Sequence, residues 1–498
     1  GHNLGSYGLF NLNLADRTKT QYANFSGGAS DWALQSYFGR LSYSFDKKYL
    51  VDFTTRMDGS SKFSESKRWS ALFPSVAVAW NLSEENFISS LNVFDNLKAR
   101  LSWGQSGNQE LSFGNYDYIS LISISGTYPM GIPNVGIPGA VSSIASQSRT
   151  WETIEAKNIG VDFAVLNSRL SGSFDYYIKS NKNMLVNDQL PATLGGSAPT
   201  QNIGKLETKG WDLSLAWNDK IGNVGYSVSA MLSDSKNKLV ELKGNDAYGE
   251  GLIYARKGYS LNSYFGYQFD GIIQNEEQLT AYKQLGNVPS NLGVGDVMFR
   301  DVDGDGQITA FGDASKGTSG DMVYLGNLLP RYTYSSNISV SYKGFDLSIF
   351  LQGIGKRQGI RTGEISVPLW QVWMQPLEYF YGKNWTPENP DAKFPRIIPG
   401  SVGFDGIRNW NWRYSSMRMN NLAYLRFKVV TLAYNLPQYL VSKAKVKNIR
   451  IYVSGQDLFT FSKDTWNKSF DPEETWERSD EQTYPFNSVI SFGLDIKF

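Results

Sequence analysis

Ile490-Ser491-Phe492-Gly493-Leu494-Asp495-Ile496-Lys497-Phe498 closes the chain on an unbroken alternation. Ile490, Phe492, Leu494, Ile496 and Phe498 are apolar, whereas Ser491, Gly493, Asp495 and Lys497 are small or polar. Successive strand side chains point to opposite faces, so this segment has one apolar face and one polar face. Two kinds of structure use such a strand. A transmembrane β-barrel puts the apolar face in lipid, the polar face in its lumen and a terminal aromatic ring at the interface. A soluble sandwich half-buries the same pattern. Period two alone does not separate them.

Composition does. The 498 residues include 28 Phe, 29 Tyr and 14 Trp, with 48 Gly and no Cys. Tyr and Trp join an apolar body to a polar tip and suit a membrane–water boundary. Mean hydropathy is −0.34, too polar for a helical membrane protein. No run approaches the ~20 apolar residues that a spanning helix needs. A barrel escapes that requirement because only alternate residues face lipid. The formal net charge of +1 gives no reason to expect a nucleic-acid partner. The lack of Cys excludes disulfides and thiolate metal sites, and the only histidine is His2. Ser-His-Asp, Cys-His and His-rich zinc chemistry are therefore hard to build. No carboxylate pair is placed for catalysis, so the chain reads as a non-enzyme.

The alternation recurs upstream. Tyr49, Val51 and Phe53 alternate with Asp52 and Thr54, and Leu97, Ala99, Leu101 and Trp103 with Lys98, Arg100 and Ser102. Leu170, Phe174 and Ile178 share a phase opposite Asp175 and Lys179. Leu425, Phe427 and Val429 oppose Arg426 and Lys428, and Ile449, Ile451 and Val453 oppose Arg450. Charged groups on one face and aromatic or aliphatic groups on the other fit lumen and lipid. Connections alternate in length as well. Short turns fall at 46–48, 167–168, 219–224 and 343–344. Long excursions fall at roughly 106–150, 183–203, 238–329, 355–420 and 460–488. The segments 83–96 and 436–447 lie on the short side yet exceed true turns. The pattern predicts an all-β transmembrane antiparallel barrel wall of about fourteen strands, counted from Leu4. It contains no helical stretch of note. The opening Gly1-His2-Asn3 has no Met or leader-like segment, and strand-like sequence starts at Leu4. The chain therefore reads as part of a longer protein.

Several words resemble the SusC/RagA-like TonB-dependent transporters. They are Arg56-Met57-Asp58-Gly59-Ser60-Ser61-Lys62-Phe63 with Arg68-Trp69 and Phe73-Pro74-Ser75, Ser102-Trp103-Gly104-Gln105-Ser106-Gly107-Asn108-Gln109, and Asn158-Ile159-Gly160-Val161-Asp162-Phe163. Asn202-Ile203-Gly204, Lys209-Gly210-Trp211, Trp385-Thr386-Pro387-Glu388-Asn389-Pro390, Tyr424-Leu425-Arg426 and Ser454-Gly455-Gln456-Asp457-Leu458-Phe459 continue the series. Their order and spacing extend over most of the chain. The resemblance implies an importer in the outer membrane of a Bacteroidota-type bacterium, with a barrel of roughly 22 strands. It also implies an N-terminal plug, a SusD-like surface lipoprotein lid, drive from TonB-ExbB-ExbD, and oligosaccharide or peptide cargo. Residues 1–498 then correspond to the C-terminal part of the barrel, without plug or first strands. In the family the C-terminus faces the periplasm, which puts every long excursion outside. The competing readings are a passive porin or a ligand-binding surface barrel, and beyond those a soluble all-β glycan-binding or hydrolytic protein.

Two local motifs carry candidate chemistry. Asp301-Val302-Asp303-Gly304-Asp305-Gly306-Gln307-Ile308-Thr309 sets carboxylates at positions one, three and five and glycine at six, the spacing of a Ca²⁺ loop. Gln307 would add its backbone carbonyl. Position twelve is Gly312 where a bidentate acid is expected, and Asp313 follows as the substitute. The expected ligands are Asp301, Asp303, Asp305, Gln307 and Asp313. The other reading is a polar Asp-Gly turn. The second motif is aromatic: Trp370, Trp373, Tyr379, Tyr381, Trp385, Trp410 and Trp412 share one excursion. Such rings stack on sugars or offer apolar contact to peptides, with Trp370, Trp373, Trp410 and Trp412 as the candidates. Packing of the loop against itself or a lid is the favoured alternative.

Overall fold

A computed structural model of the chain describes residues 30–109, 114–120, 122–130, 135–142, 145–187, 200–243, 249–313, 315–362, 366–369, 375–398, 406–443, 446–463, 471–473 and 486–498. Thirteen strands among them form one antiparallel ladder in strict chain order. They are β1 (Leu34–Phe45), β2 (Tyr49–Ser60), β3 (Ala71–Asn81), β4 (Phe94–Asn108), β5 (Glu152–Val165), β6 (Leu170–Asn187) and β7 (Thr200–Ile221). β8 (Val224–Leu242), β9 (Arg331–Tyr342), β10 (Phe345–Lys356), β11 (Tyr424–Asn435), β12 (Asn448–Ser462) and β13 (Val489–Lys497) complete it. The expected strand at Leu4–Leu14 lies outside the described residues.

The register turns sequence alternation into two faces. Tyr43, Val51, Val78, Leu101, Ile159, Tyr176 and Trp211 pair in succession from β1 to β7. Val340, Leu347, Leu432, Val453 and Phe492 form a second apolar row from β9 to β13. These rows are left open: Leu101 is 58% exposed and Phe492 83%. A band of aromatic and aliphatic groups this long belongs in lipid. On the other face Ser227, Ser339, Ser348, Thr431, Ser454 and Ser491 pair in one row from β8 to β13. A bulge between Phe427 and Val429 re-phases β11, so that Arg426 and Lys428 share the polar side with Thr431.

Turn chemistry sets which end is which. The β9–β10 hairpin turns on Lys343 (φ 45°) and Gly344 (φ 90°), the two positive φ values of a type I′ turn. Asp46 and Lys47 hold φ 50° and 55° between β1 and β2, with Lys48 N–H donating to the Phe45 carbonyl (3.0 Å). The connections 166–169 and 222–223 share this end. So do 82–93 and 436–447, each of which contains a short helix. The long connections 109–151, 188–199, 243–330, 357–423 and 463–488 emerge at the opposite end, as the length pattern predicted. There 61–70 joins them.

The excursions 243–330 and 357–423 fold together. Tyr267, Ile273, Leu279, Tyr282, Leu292, Val297, Phe299, Ile308, Met322, Ile407 and Trp410 form one buried apolar cluster. Strand alternation gave no sign of the helix Glu276–Tyr282. Its start is nevertheless written locally, since the Asn275 side chain accepts the Gln278 N–H. Leu279 and Tyr282 are its buried residues.

Candidate functional site

The Asp-rich loop lies in the 243–330 excursion. Asp301 accepts the Gly304 N–H at Oδ1 (2.7 Å) and the Gly306 N–H at Oδ2 (2.8 Å). Gly304 (φ 74°) and Gly306 (φ 80°) take the left-handed conformations that fold the chain back around it. Asp303 Oδ2 accepts from Ser319 N (2.8 Å) and Gly320 N (2.6 Å), which brings the later segment onto the loop. That segment carries Asp321. Carboxylate oxygens of Asp301, Asp303 and Asp321 lie within 4.8 Å of one another.

Asp321 is fully buried. Its oxygens accept the Val302 N–H (2.6 Å) and the Thr309 N–H (2.7 Å). Burial, together with the Asp303 and Asp301 charges, pushes its carboxyl above the ordinary range. The Gly320 N–H, with those of Ser319 and Asp305, holds Asp303 below it.

The carboxylates that the structure gathers differ from the set expected from the spacing. Asp313 is exposed, and its Oδ1 accepts from Ser315 N (2.9 Å) and Ser315 Oγ (2.5 Å) within its own turn. Asp321 completes the carboxylate group in its place. Asp305 is not in that group, and its Oδ1 accepts the Gln307 N–H (2.9 Å). The Gln307 side chain accepts from Asn287 (3.1 Å).

Aromatic candidates divide between packing and exposure. Trp370 and Trp373 lie outside the described residues. Trp410 is buried and donates its indole N–H to the Val297 carbonyl (2.9 Å). Trp412 is buried with Val367, Phe380 and Phe394. Trp385 donates to Gln274 Oε1 (3.0 Å) and covers Gly295 so closely that a Cβ there would meet the ring at 2.5 Å. Tyr381 is 89% exposed. A cavity of 620 Å³ beside Trp410 and Trp412 is rimmed by Glu250, Arg413 and Arg418. Arg413 pairs with Glu250 there (3.2 Å).

Charges on the polar face pair among themselves. Arg426, fully buried, bonds Asp471 and Glu473 (2.9 Å to Glu473) from the 463–488 excursion and Thr460 Oγ1 (2.9 Å). Lys428 pairs with Asp457 (2.9 Å), and Arg450 with Asp495 (3.1 Å).

Residues 1–355 match the family described as TonB dependent receptor-like, beta-barrel. The chain belongs to that family.

Relatives agree with the assignment. TonB-dependent receptor P3 of Formosa agariphila is 30% identical over 96% of this chain and 48% of its own length. TonB-dependent receptor SusC of Bacteroides thetaiotaomicron is 27% identical over 97% of this chain and 45% of its own. The solved RagAB peptide transporter superposes with a TM-score of 0.72 at 24% identity, over 94% of this chain and 47% of that one. The chain thus spans about half the length of the curated relatives it matches.

As a TonB-dependent receptor barrel, the chain is an outer-membrane protein of a receptor family and not an enzyme. The apolar rows described above are its lipid-facing wall. Two residues of this receptor barrel escaped sequence reasoning. Asp321 sits outside the twelve-position loop rule, and only its place directly after Gly320 at the start of a strand sets it apart. Asp296 is fully buried and takes Arg396 in a bidentate pair (2.8 and 2.9 Å), with Asn411 Nδ2 at 2.9 Å. That node joins the two excursions.

Proposed function

We propose that this chain forms the C-terminal part of the barrel of a TonB-dependent importer whose complete form includes a plug. Membership in the TonB-dependent receptor-like β-barrel family carries the reading. The wall architecture supports it: short hairpins at one end, and at the other two excursions that share a buried core. Cargo is an oligosaccharide or peptide, and a SusD-like surface lipoprotein covers the outer mouth. TonB-ExbB-ExbD acts through the plug.

Uptake of labelled oligosaccharides and peptides by the native bacterium tests this. Uptake should vanish when the receptor is deleted and equally when TonB is deleted. Uptake that needs the receptor but not TonB would make the barrel a passive porin. Binding without uptake would make it a surface adhesin.

The Asp-rich loop is proposed as a structural Ca²⁺ site held by Asp301, Asp303 and Asp321. Three hard carboxylate oxygens gathered on a glycine-turned loop suit that ion. A bound cation would relieve the crowding of acids around buried Asp321 and fix the loop to the strand at Met322–Asn327.

A further inference from the structure

The two connections at the short-turn end that are too long for turns have a common design, and the family resemblance puts that end in the periplasm. Residues 82–93 contain the helical turn Asn86–Ser89, and 436–447 contain Gln438–Lys443. Each points large apolar groups outward: Phe87 (58% exposed), Leu91 and Val93 in the first, Tyr439 (65%) and Leu440 in the second. Val441, fully buried, holds the second turn in place.

The first turn extends the lipid-facing wall. Phe45, Tyr49 and Trp80 pair in register across β1, β2 and β3, with ring centroids 6.5 and 6.1 Å apart. Phe87 adds the next ring, 6.5 Å from Trp80, beyond the ends of the strands. The polar tips converge behind this line. Glu85 accepts from Tyr49 Oη (2.7 Å), Trp80 Nε1 (3.1 Å) and Lys48 Nζ (3.2 Å). Rings turned outward, with their N–H and O–H groups gathered on one carboxylate, are what the boundary between acyl chains and headgroups demands.

We propose that both turns are interfacial anchors that lay Phe87, Leu91, Val93, Tyr439 and Leu440 against phospholipid of the periplasmic leaflet. Phospholipid is the occupant because the Phe87 ring continues, without a gap, a row already in lipid, and the second turn exposes Tyr439 and Leu440 at the same end of the wall. A helical turn this short does not hold its shape alone. The barrel therefore supplies the shape and the membrane receives the apolar side. The inference rests on the barrel fold and is independent of cargo or of TonB.

Single-cysteine labelling tests it: this chain has no native Cys, and any cysteine elsewhere in the full-length receptor is first replaced by serine. In the full-length receptor in phospholipid nanodiscs, Leu91→Cys and Tyr439→Cys would each carry a polarity-sensitive fluorophore. Asn223→Cys, in the true turn between β7 and β8, is the reference. At 91 and 439 the emission should shift to the blue relative to 223. Nitroxide lipids should quench it, more with the nitroxide near the headgroup than at the bilayer centre, and aqueous iodide should quench it less than at 223. Quenching by iodide equal to that at 223 would overturn the proposal. Protection from both quenchers would also overturn it, by placing a protein against the turns. All three positions are exposed, so labelling them leaves the buried packing intact.

Discussion

The Arg100 guanidinium lies across Gly160 to reach Asp175, two strands away. It bonds Asp162 through Nε and Nη2 (2.8 Å each) and Asp175 through Nη1 and Nη2 (3.0 and 2.9 Å). Gly160 is the strand residue between them in register, and a Cβ there would meet Asp175 Oδ1 at 2.5 Å and Arg100 Nη2 at 2.8 Å. Gly160→Val should therefore displace the guanidinium as well as crowd the wall. Folded barrel, read as the heat-modifiable band on a gel, should be lost at a lower temperature than in wild type. Arg100→Met, which leaves two acids without their cation, should cost about 1–2 kcal/mol. A Gly160→Val barrel as heat-resistant as wild type would refute this account of the glycine.

Calcium and Asp321 stand or fall together. Terbium luminescence, with Ca²⁺ competition, should report a site in the wild type that weakens at least tenfold in Asp321→Asn and is unchanged in Asp313→Asn. Saturating Ca²⁺ should stabilise the excursion by about 2.7 kcal/mol at a hundredfold excess over its dissociation constant. The reverse ranking of the two variants would restore the ligand set expected from spacing alone.

Asp296 should act as a rivet between the excursions. Asp296→Ala removes the buried carboxylate that Arg396 and the Asn411 amide share, and because Arg396 is partly exposed the loss should be about 1–3 kcal/mol. Amide exchange should accelerate across Val297–Phe299 and Gly406–Asn411 while β9 and β10 keep their protection. Uniform acceleration through the ladder would mean that the excursions and the wall unfold as one unit.

Trp410 is predicted to matter for packing, not for cargo. Trp410→Phe keeps most of the ring volume but strands the Val297 carbonyl, so the excursion should lose about 1–2 kcal/mol. Cargo affinity of the variant, titrated at a temperature where the excursion stays folded, should match wild type. A selective loss of affinity would return Trp410 to the binding site.

The wall was legible because its physics is local. Alternation between Ile490 and Phe498 fixes which side chains share a face, and Lys343-Gly344 marks its own turn. The first of the resemblance words, Arg56 to Phe63 with Arg68-Trp69, is a packing device. Gly59 lies beneath the Trp69 ring, and Phe63 is buried against Trp151. The partners of Arg426 were beyond reach, because Asp471 and Glu473 come from an excursion whose path no period records. Asp321 was hidden for the same reason. Two backbone N–H groups of Asp303's later neighbours bring it to the loop, and sequence spacing holds no trace of that closure.

The row from Ser227 to Ser491 gives one stretch of the inner wall an unusual character. A serine hydroxyl ends close to the backbone and turns about a single bond, donating or accepting as its neighbour requires. Six strands in succession offer nothing longer there than a threonine. Contact with such a belt has no preferred orientation and needs no ion to be released. Thr431 and Ser454 already bond each other across the row through their hydroxyls (2.8 Å), so the belt can satisfy itself or a facing surface by turning hydroxyls alone, with no side chain displaced.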